Sequence, residues 1–164
     1  MSGQGAGLRV RGLSLALLFL SSVAVAGSTW KLLDLGPLTV RTPAGMVLAR
    51  GGTDSLAGAI VGENLRLDYD LGLYSDPLEA REGAGDFEVR AGSLDGLPAR
   101  FVSYRIVNET GQTRFCTGVH VPEVRRSVMG RIGFTALACG DHPRSMKLAR
   151  AILSTLLFRR DAQP

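Results

Sequence analysis

The chain has 164 residues, 45% of them apolar and 21% charged, with a formal net charge of +4. That apolar content indicates neither a disordered chain nor a polytopic membrane protein, and the length fits one domain with a core of its own. Charges of both signs are interspersed, and no basic stripe is backed by aromatic residues, which argues against nucleic-acid binding.

Residues 1–26 read as a cleaved secretory leader. Arg9 and Arg11 make a positive n-region, residues 13–25 an apolar h-region, and Ala24-Val25-Ala26 a small-x-small cleavage signal. The competing reading is a membrane anchor. The run is shorter than the ~20 apolar residues of a spanning helix, and Ser21 and Ser22 lie near its end. No Cys follows it, which removes a lipoprotein, and Val10 splits the two arginines, which removes a twin-arginine signal. The expectation is an exported protein starting near Gly27, periplasmic or secreted, with no stable membrane anchor after cleavage. The leader holds Arg9 and Arg11 and no acidic residue, so the 19 basic residues fall to 17 against 15 acidic and the charge to +2. Lys31 and Lys147 are the only lysines, a preference that codon bias of a GC-rich genome explains as readily as chemistry.

After the leader, residues 30–35 and 38–41 are short apolar runs broken by Gly36-Pro37, and Thr42-Pro43-Ala44-Gly45 is a turn. A short strand fits 47–50, ended by Gly51-Gly52. Residues 57–61 and 65–71 form a hairpin across Gly62-Glu63-Asn64. In its second strand Leu65, Leu67, Tyr69 and Leu71 alternate with Arg66, Asp68 and Asp70, so one face meets a core and the other meets water or a partner. Residues 72–85 read as a loop, with one helical turn at 78–81. Strand character resumes at 87–91, and Asp95-Gly96 is a turn. Residues 99–108 and 112–121 pair across Glu109-Thr110-Gly111. A loop is expected over 122–130, then a strand over 131–139. Asp141 is placed to cap a closing helix with Pro143 in its first turn. Met146, Ala149, Ile152 and Leu153 recur on one face of that helix. Residues 156–158 add an extended end.

Hairpins in meander order with one strong terminal helix predict an α+β fold: one domain over residues 27–164, an antiparallel sheet with the C-terminal helix packed on one face. The order of landmarks supports this. Thr42-Pro43-Ala44-Gly45 is followed by Asp54-Ser55-x-x-Gly58 and by Leu67-Asp68-Tyr69-Asp70-Leu71-Gly72-Leu73-Tyr74-Ser75. Leu94-Asp95-Gly96-x-x-Ala99 and Ala151-Ile152-Leu153-Ser154-Thr155-Leu156 come later. The series resembles the PsbP-like family, whose named member is an extrinsic subunit of the photosynthetic oxygen-evolving complex and whose exported bacterial relatives have unknown roles. The resemblance implies an antiparallel sheet between helices and an interaction or assembly role. It carries no binding-site motif over to this chain.

Cys116 and Cys139 are the only cysteines, and His120 and His142 the only histidines. In an exported chain the two cysteines most simply form a disulfide. Cys116-x-x-x-His120 and Cys139-x-x-His142 also offer a four-ligand zinc set, and free thiols are the third reading. Asp68, Asp70 and Asp76 offer carboxylates for acid–base work or Ca²⁺, against the plainer reading of a solvated strand face that Arg66 partly neutralises. Ser55 has no nucleophile elbow around it, and a turn explains Asp54-Ser55 better. Asn108-Glu109-Thr110 matches a glycosylation sequon and reads as a hairpin turn. Leu73, Tyr74, Pro77 and Leu78 place apolar side chains in a Gly/Pro/Asp-punctuated loop, either as partner-binding anchors or as a satellite core beneath the loop. The expected function is a non-enzymatic exported binding or assembly module for an envelope protein, with no cofactor. The alternative is a metal-dependent or hydrolytic periplasmic enzyme using His120, His142 and the Asp68/Asp70 face.

Overall fold

In the computed structural model residues 29–50, 56–80 and 82–159 are described; the leader, the Asp54-Ser55 turn and Arg81 lie outside them. Among the described residues ten strands and one helix follow in chain order. They are β1 (Trp30–Asp34), β2 (Leu38–Pro43), β3 (Val47–Arg50), β4 (Leu56–Val61), β5 (Arg66–Gly72), β6 (Ala84–Leu94), β7 (Leu97–Val107), β8 (Thr113–Ser127), β9 (Gly130–Gly140), α1 (Pro143–Leu153) and β10 (Leu157–Phe158). Of the described residues, 62% are strand and 9% helix, which overturns the expected α+β class. The fold is β-dominated, with two antiparallel sheets and one short helix packed on them.

The larger sheet has the order β3-β4-β5-β9-β8-β7-β6 and the smaller β1-β2-β10. Each is built of local hairpins, where antiparallel neighbours need only short turns, plus one long-range pairing: β5 with β9 in the larger sheet and β2 with β10 in the smaller. The Asp95-Gly96 turn has positive φ at both residues (49° and 76°), the twist that a two-residue hairpin needs. Asn108 builds its own turn by accepting bonds from the amides of Thr110 and Gln112 at 3.1 and 2.8 Å.

The error in class came from breakers that did not break. Residues 122–127 were expected as loop because of Pro122, yet β8 runs on to Ser127. The ladder shifts register between Val121 and Arg125 there, and β8 has already passed its last pair with β7, Arg100↔His120. A proline without an N–H is tolerated at such a bulge. Gly85 and Gly92 likewise lie inside β6, which has its own irregularity between Gly85 and Glu88. Of the helical turn expected at 78–81, residues 78–80 form none; Leu78 has φ 54°, outside any right-handed helix.

The core lies between the large sheet, α1 and the small sheet. Leu67, Tyr69 and Leu71 of β5 stand beside Ala138, Ala136 and Phe134 of β9 and, beyond them, Thr117, Val119 and Val121 of β8. The stripe Met146, Ala149, Ile152 and Leu153 of α1 closes on this face, as its spacing predicts. Pro143 opens the helix, but the N-cap is His142 without a side-chain bond, and Asp141 faces Arg114 at 3.9 Å. Phe158 of β10 meets Phe134 edge-on, ring centroids 5.2 Å apart. Thr155 ties the helix end to β2, its Oγ1 accepting from the Arg41 amide at 2.9 Å.

Candidate functional site

The opposite face of the large sheet carries a second, smaller cluster: Leu78, Val102, Tyr104 and Cys116, with Phe87, Ile106, Leu137 and Cys139 packed against it. Its roof is the irregular segment 73–80, which crosses the sheet as a strap. Leu78 is 3% exposed and sits over Gly118, where a Cβ would meet both Leu78 and the Ala136 carbonyl. Only glycine leaves that notch open. The Leu78 amide donates to Asp76 Oδ1 at 2.8 Å, and Arg100 Nη1 reaches the Pro77 carbonyl at 3.3 Å. These contacts hold Leu78 at a backbone angle that leucine rarely adopts.

A polar row runs across the strands under the strap. Asp70 of β5 pairs with Thr135 of β9, Thr135 with His120 of β8, and His120 with Arg100 of β7. The Thr135 hydroxyl donates to the Asp76 carbonyl, so its oxygen accepts from His120 Nδ1–H at 3.0 Å. Burial, then the Arg100 charge, holds the His120 imidazole below its ordinary range, opposed by Asp76 and the Phe134 carbonyl. Asp70 Oδ1 is buried without a hydrogen-bond partner. Asp68 forms a 2.6 Å ion pair with Arg66, so this carboxylate belongs to a solvated strand face.

Cys116 and Cys139 stand directly opposite each other on β8 and β9 and are joined in a disulfide, Cα atoms 4.2 Å apart. Their sulfurs are therefore unavailable to zinc. His120 lies four residues along β8 from Cys116, about 13 Å at strand rise, while exposed His142 caps α1. Among the described residues no three His, Cys, Asp or Glu side chains come together to hold a metal. The four-ligand set does not assemble.

A groove of about 870 Å³ that no motif announced lies between α1 and the β6–β7 wing of the sheet. Glu88, Arg90, Ser103, Thr117 and Arg150 line it, with Phe101 and Leu153 as apolar walls. Arg90 covers the Phe101 ring with its guanidinium 5.6 Å from the centroid. The sequence signal was polar residues at inward positions of β6, β7 and β8. Ser103 Oγ donates to Glu88 Oε2 at 3.5 Å on the groove wall, and the lining mixes charges of both signs.

The loop anchors proposed from sequence divide. Leu78 is satellite core. Leu73 and Pro77 are exposed, and Tyr74 is 95% exposed. Leu73 lies against the end of the β8–β9 hairpin, its Cδ2 only 3.7 Å from where a Cβ on Gly130 would be. That hairpin closes at Ser127↔Gly130 with Val128 and Met129 as its two turn residues. Val128 is fully exposed and Met129 is 79% exposed. Behind the turn Arg126 and Arg131 are direct cross-strand partners, and Glu123 bridges them at 2.7 and 3.3 Å. Hydrogen bonding from Arg126 leads in holding the Glu123 carboxyl below its ordinary range. Sequence reasoning passed over Val128-Met129 because the segment read as loop; the available signal was two large apolar residues between strands.

No protein-family model matches the chain, and no curated protein matches it at a significant level. The disulfide accords with an oxidising compartment. Among the described residues no helix is long and apolar enough to cross a membrane.

Proposed function

We propose that this chain is an exported, non-enzymatic binding or assembly module whose contact surface is the apolar tip formed by Leu73, Tyr74, Val128 and Met129. The observation that supports this reading is the convergence of two separate chain segments on one exposed apolar end. Scattered single apolar residues are ordinary on a protein surface, but a contiguous patch ringed by charge marks an interaction site. The PsbP-like resemblance belongs to the same proposal, since that family mostly supplies interaction modules. The enzyme alternative has less support. His120 and Asp70 lie in one row, but Thr135 stands between them, Asp68 pairs with Arg66, and His142 is at the far end of β9.

Retention on the cell envelope from which the protein comes tests the tip. Tyr74→Ala and the pair Val128→Ser/Met129→Ser should each weaken sedimentation with native envelopes roughly tenfold or more, the scale of one lost anchor. Thermal unfolding should stay unchanged, because these side chains are in water. His142→Ala should bind as the parent does. Wild-type retention of both tip variants would remove the tip as the contact surface.

A further inference from the structure

Among the described residues two hairpins have two-residue turns, and they are built differently. Asp95-Gly96 has the chemistry that its geometry demands, both residues at positive φ. Val128 and Met129 have none of it. Neither residue has positive φ; Gly130 takes φ 136° instead. Ser127 supplies the turn's hydrogen bonds, its Oγ accepting from the Met129 amide and donating to the Gly130 carbonyl, each at 3.2 Å. The turn therefore needs no apolar side chain, and none of the core is gained by one. Turn positions ordinarily take Gly, Asn, Asp, Pro or Ser. Two large apolar residues held in water at the outermost point of a hairpin have no explanation within the fold.

The charges behind the tip are equally unexplained by folding. Arg126 and Arg131 stand directly opposite each other, an arrangement that repels. Glu123 is the carboxylate that bridges the pair. Two guanidiniums share that one carboxylate, which leaves the base of the tip with a net positive charge.

We propose that this tip docks on an anionic lipid surface. The inference rests on reading the tip as the contact surface, and it names what is contacted. Val128 and Met129 enter the headgroup layer, with Tyr74 at its margin, where aromatic side chains with a polar end reside. Arg126 and Arg131 face the lipid phosphates, whose geometry suits guanidinium. The shape favours lipid over a folded protein. A protein hot spot fills a fitted pocket at the centre of an interface of about 800 Å² per partner. A two-residue turn beside one loop is narrow and protruding, and a fluid surface receives it without a matching pocket. The attachment is reversible, since so few apolar groups do not make a permanent anchor.

Vesicle sedimentation of the protein as recovered from its native cell tests this. Vesicles of phosphatidylcholine with phosphatidylglycerol should bind it, vesicles of phosphatidylcholine alone should not, and added salt should release it. Val128→Ser/Met129→Ser should lower partitioning at least about tenfold. Arg126→Gln/Arg131→Gln should lower it roughly twentyfold, at about fivefold for each arginine near an anionic surface. Unchanged thermal unfolding confirms that each variant is folded. Equal binding to both vesicle types, or binding unaffected by the tip substitutions, overturns the proposal. If the protein ignores vesicles while native envelopes still discriminate the tip variants, the lipid assignment falls and the tip reading stands with a protein as its partner. If native envelopes do not discriminate them either, both fall.

Discussion

The two faces of the large sheet are covered by different means. On one face α1 and the small sheet lay down a continuous apolar layer, in which the helix supplies four buried residues from a single periodic stripe. Ala136, Ala138 and Ala149 are small enough for helix and sheet to approach closely. On the other face an irregular strap does the covering, and each of its contacts is made separately. Leu78 needs the Gly118 notch, Asp76 needs Thr135 and the Leu78 amide, and Pro77 needs Arg100. A helix carries its hydrogen bonds within itself and spends its side chains on packing. A strap leaves backbone groups to be satisfied one at a time, so its cluster is smaller and its hold depends on a few residues.

Truncation on the two faces measures this difference. Phe134→Ala removes a fully buried ring from the helix-covered core and should cost about 4 kcal/mol, whereas Leu78→Ala on the strap side should cost about 2 kcal/mol. Chemical denaturation gives both values. The same variants should separate in hydrogen exchange, with Leu78→Ala exposing the amides of β7 and β8 while the helix amides stay protected. Equal costs would mean that the strap is as integral to the core as the helix is.

The disulfide reinforces the strap-covered face. It closes a 23-residue separation between adjacent strands, and the chain-entropy model assigns such a loop about 3 kcal/mol. Cys116→Ala/Cys139→Ala should lower the unfolding free energy by about that amount in a denaturant titration. Non-reducing mass spectrometry of native protein should find the bond intact. A loss below about 1 kcal/mol would show that the hairpin alone holds these strands.

The smallest effect concerns His120. Because burial and Arg100 hold its folded-state affinity for a proton below that of the unfolded chain, acidification protonates the unfolded chain first. Its contribution to stability is whole above the ordinary imidazole range and declines as pH falls through that range toward the depressed folded value. Thermal midpoints followed from about pH 8 to about pH 5 should therefore fall more for the parent than for His120→Gln. A parallel fall in the two proteins would place the histidine outside the pH response.

Much of the helix-covered face was legible from sequence because its patterns are local. The alternation of Leu65 to Leu71, the Asp95-Gly96 turn and the stripe of α1 each follow from residues close in the chain, and on the other face the pairing of the two cysteines follows from there being only two of a kind. The fold class was misread for a local reason as well. Pro122, Gly85 and Gly92 carry loop chemistry, and only pairing with neighbouring strands turns them into bulged or exposed positions within β8 and β6. Tertiary structure decided the rest. It sends the strap across β9, β8 and β7, buries Leu78 while leaving Tyr74 in water, and sets Asp70, Thr135, His120 and Arg100 in one row. It also brings Leu73 beside a turn that begins 55 residues later, at Val128. Periodicity and turn chemistry specify which residues of an element share a face. Which distant elements meet is set by the register of the whole ladder, because each strand's position is fixed by the neighbours it pairs with.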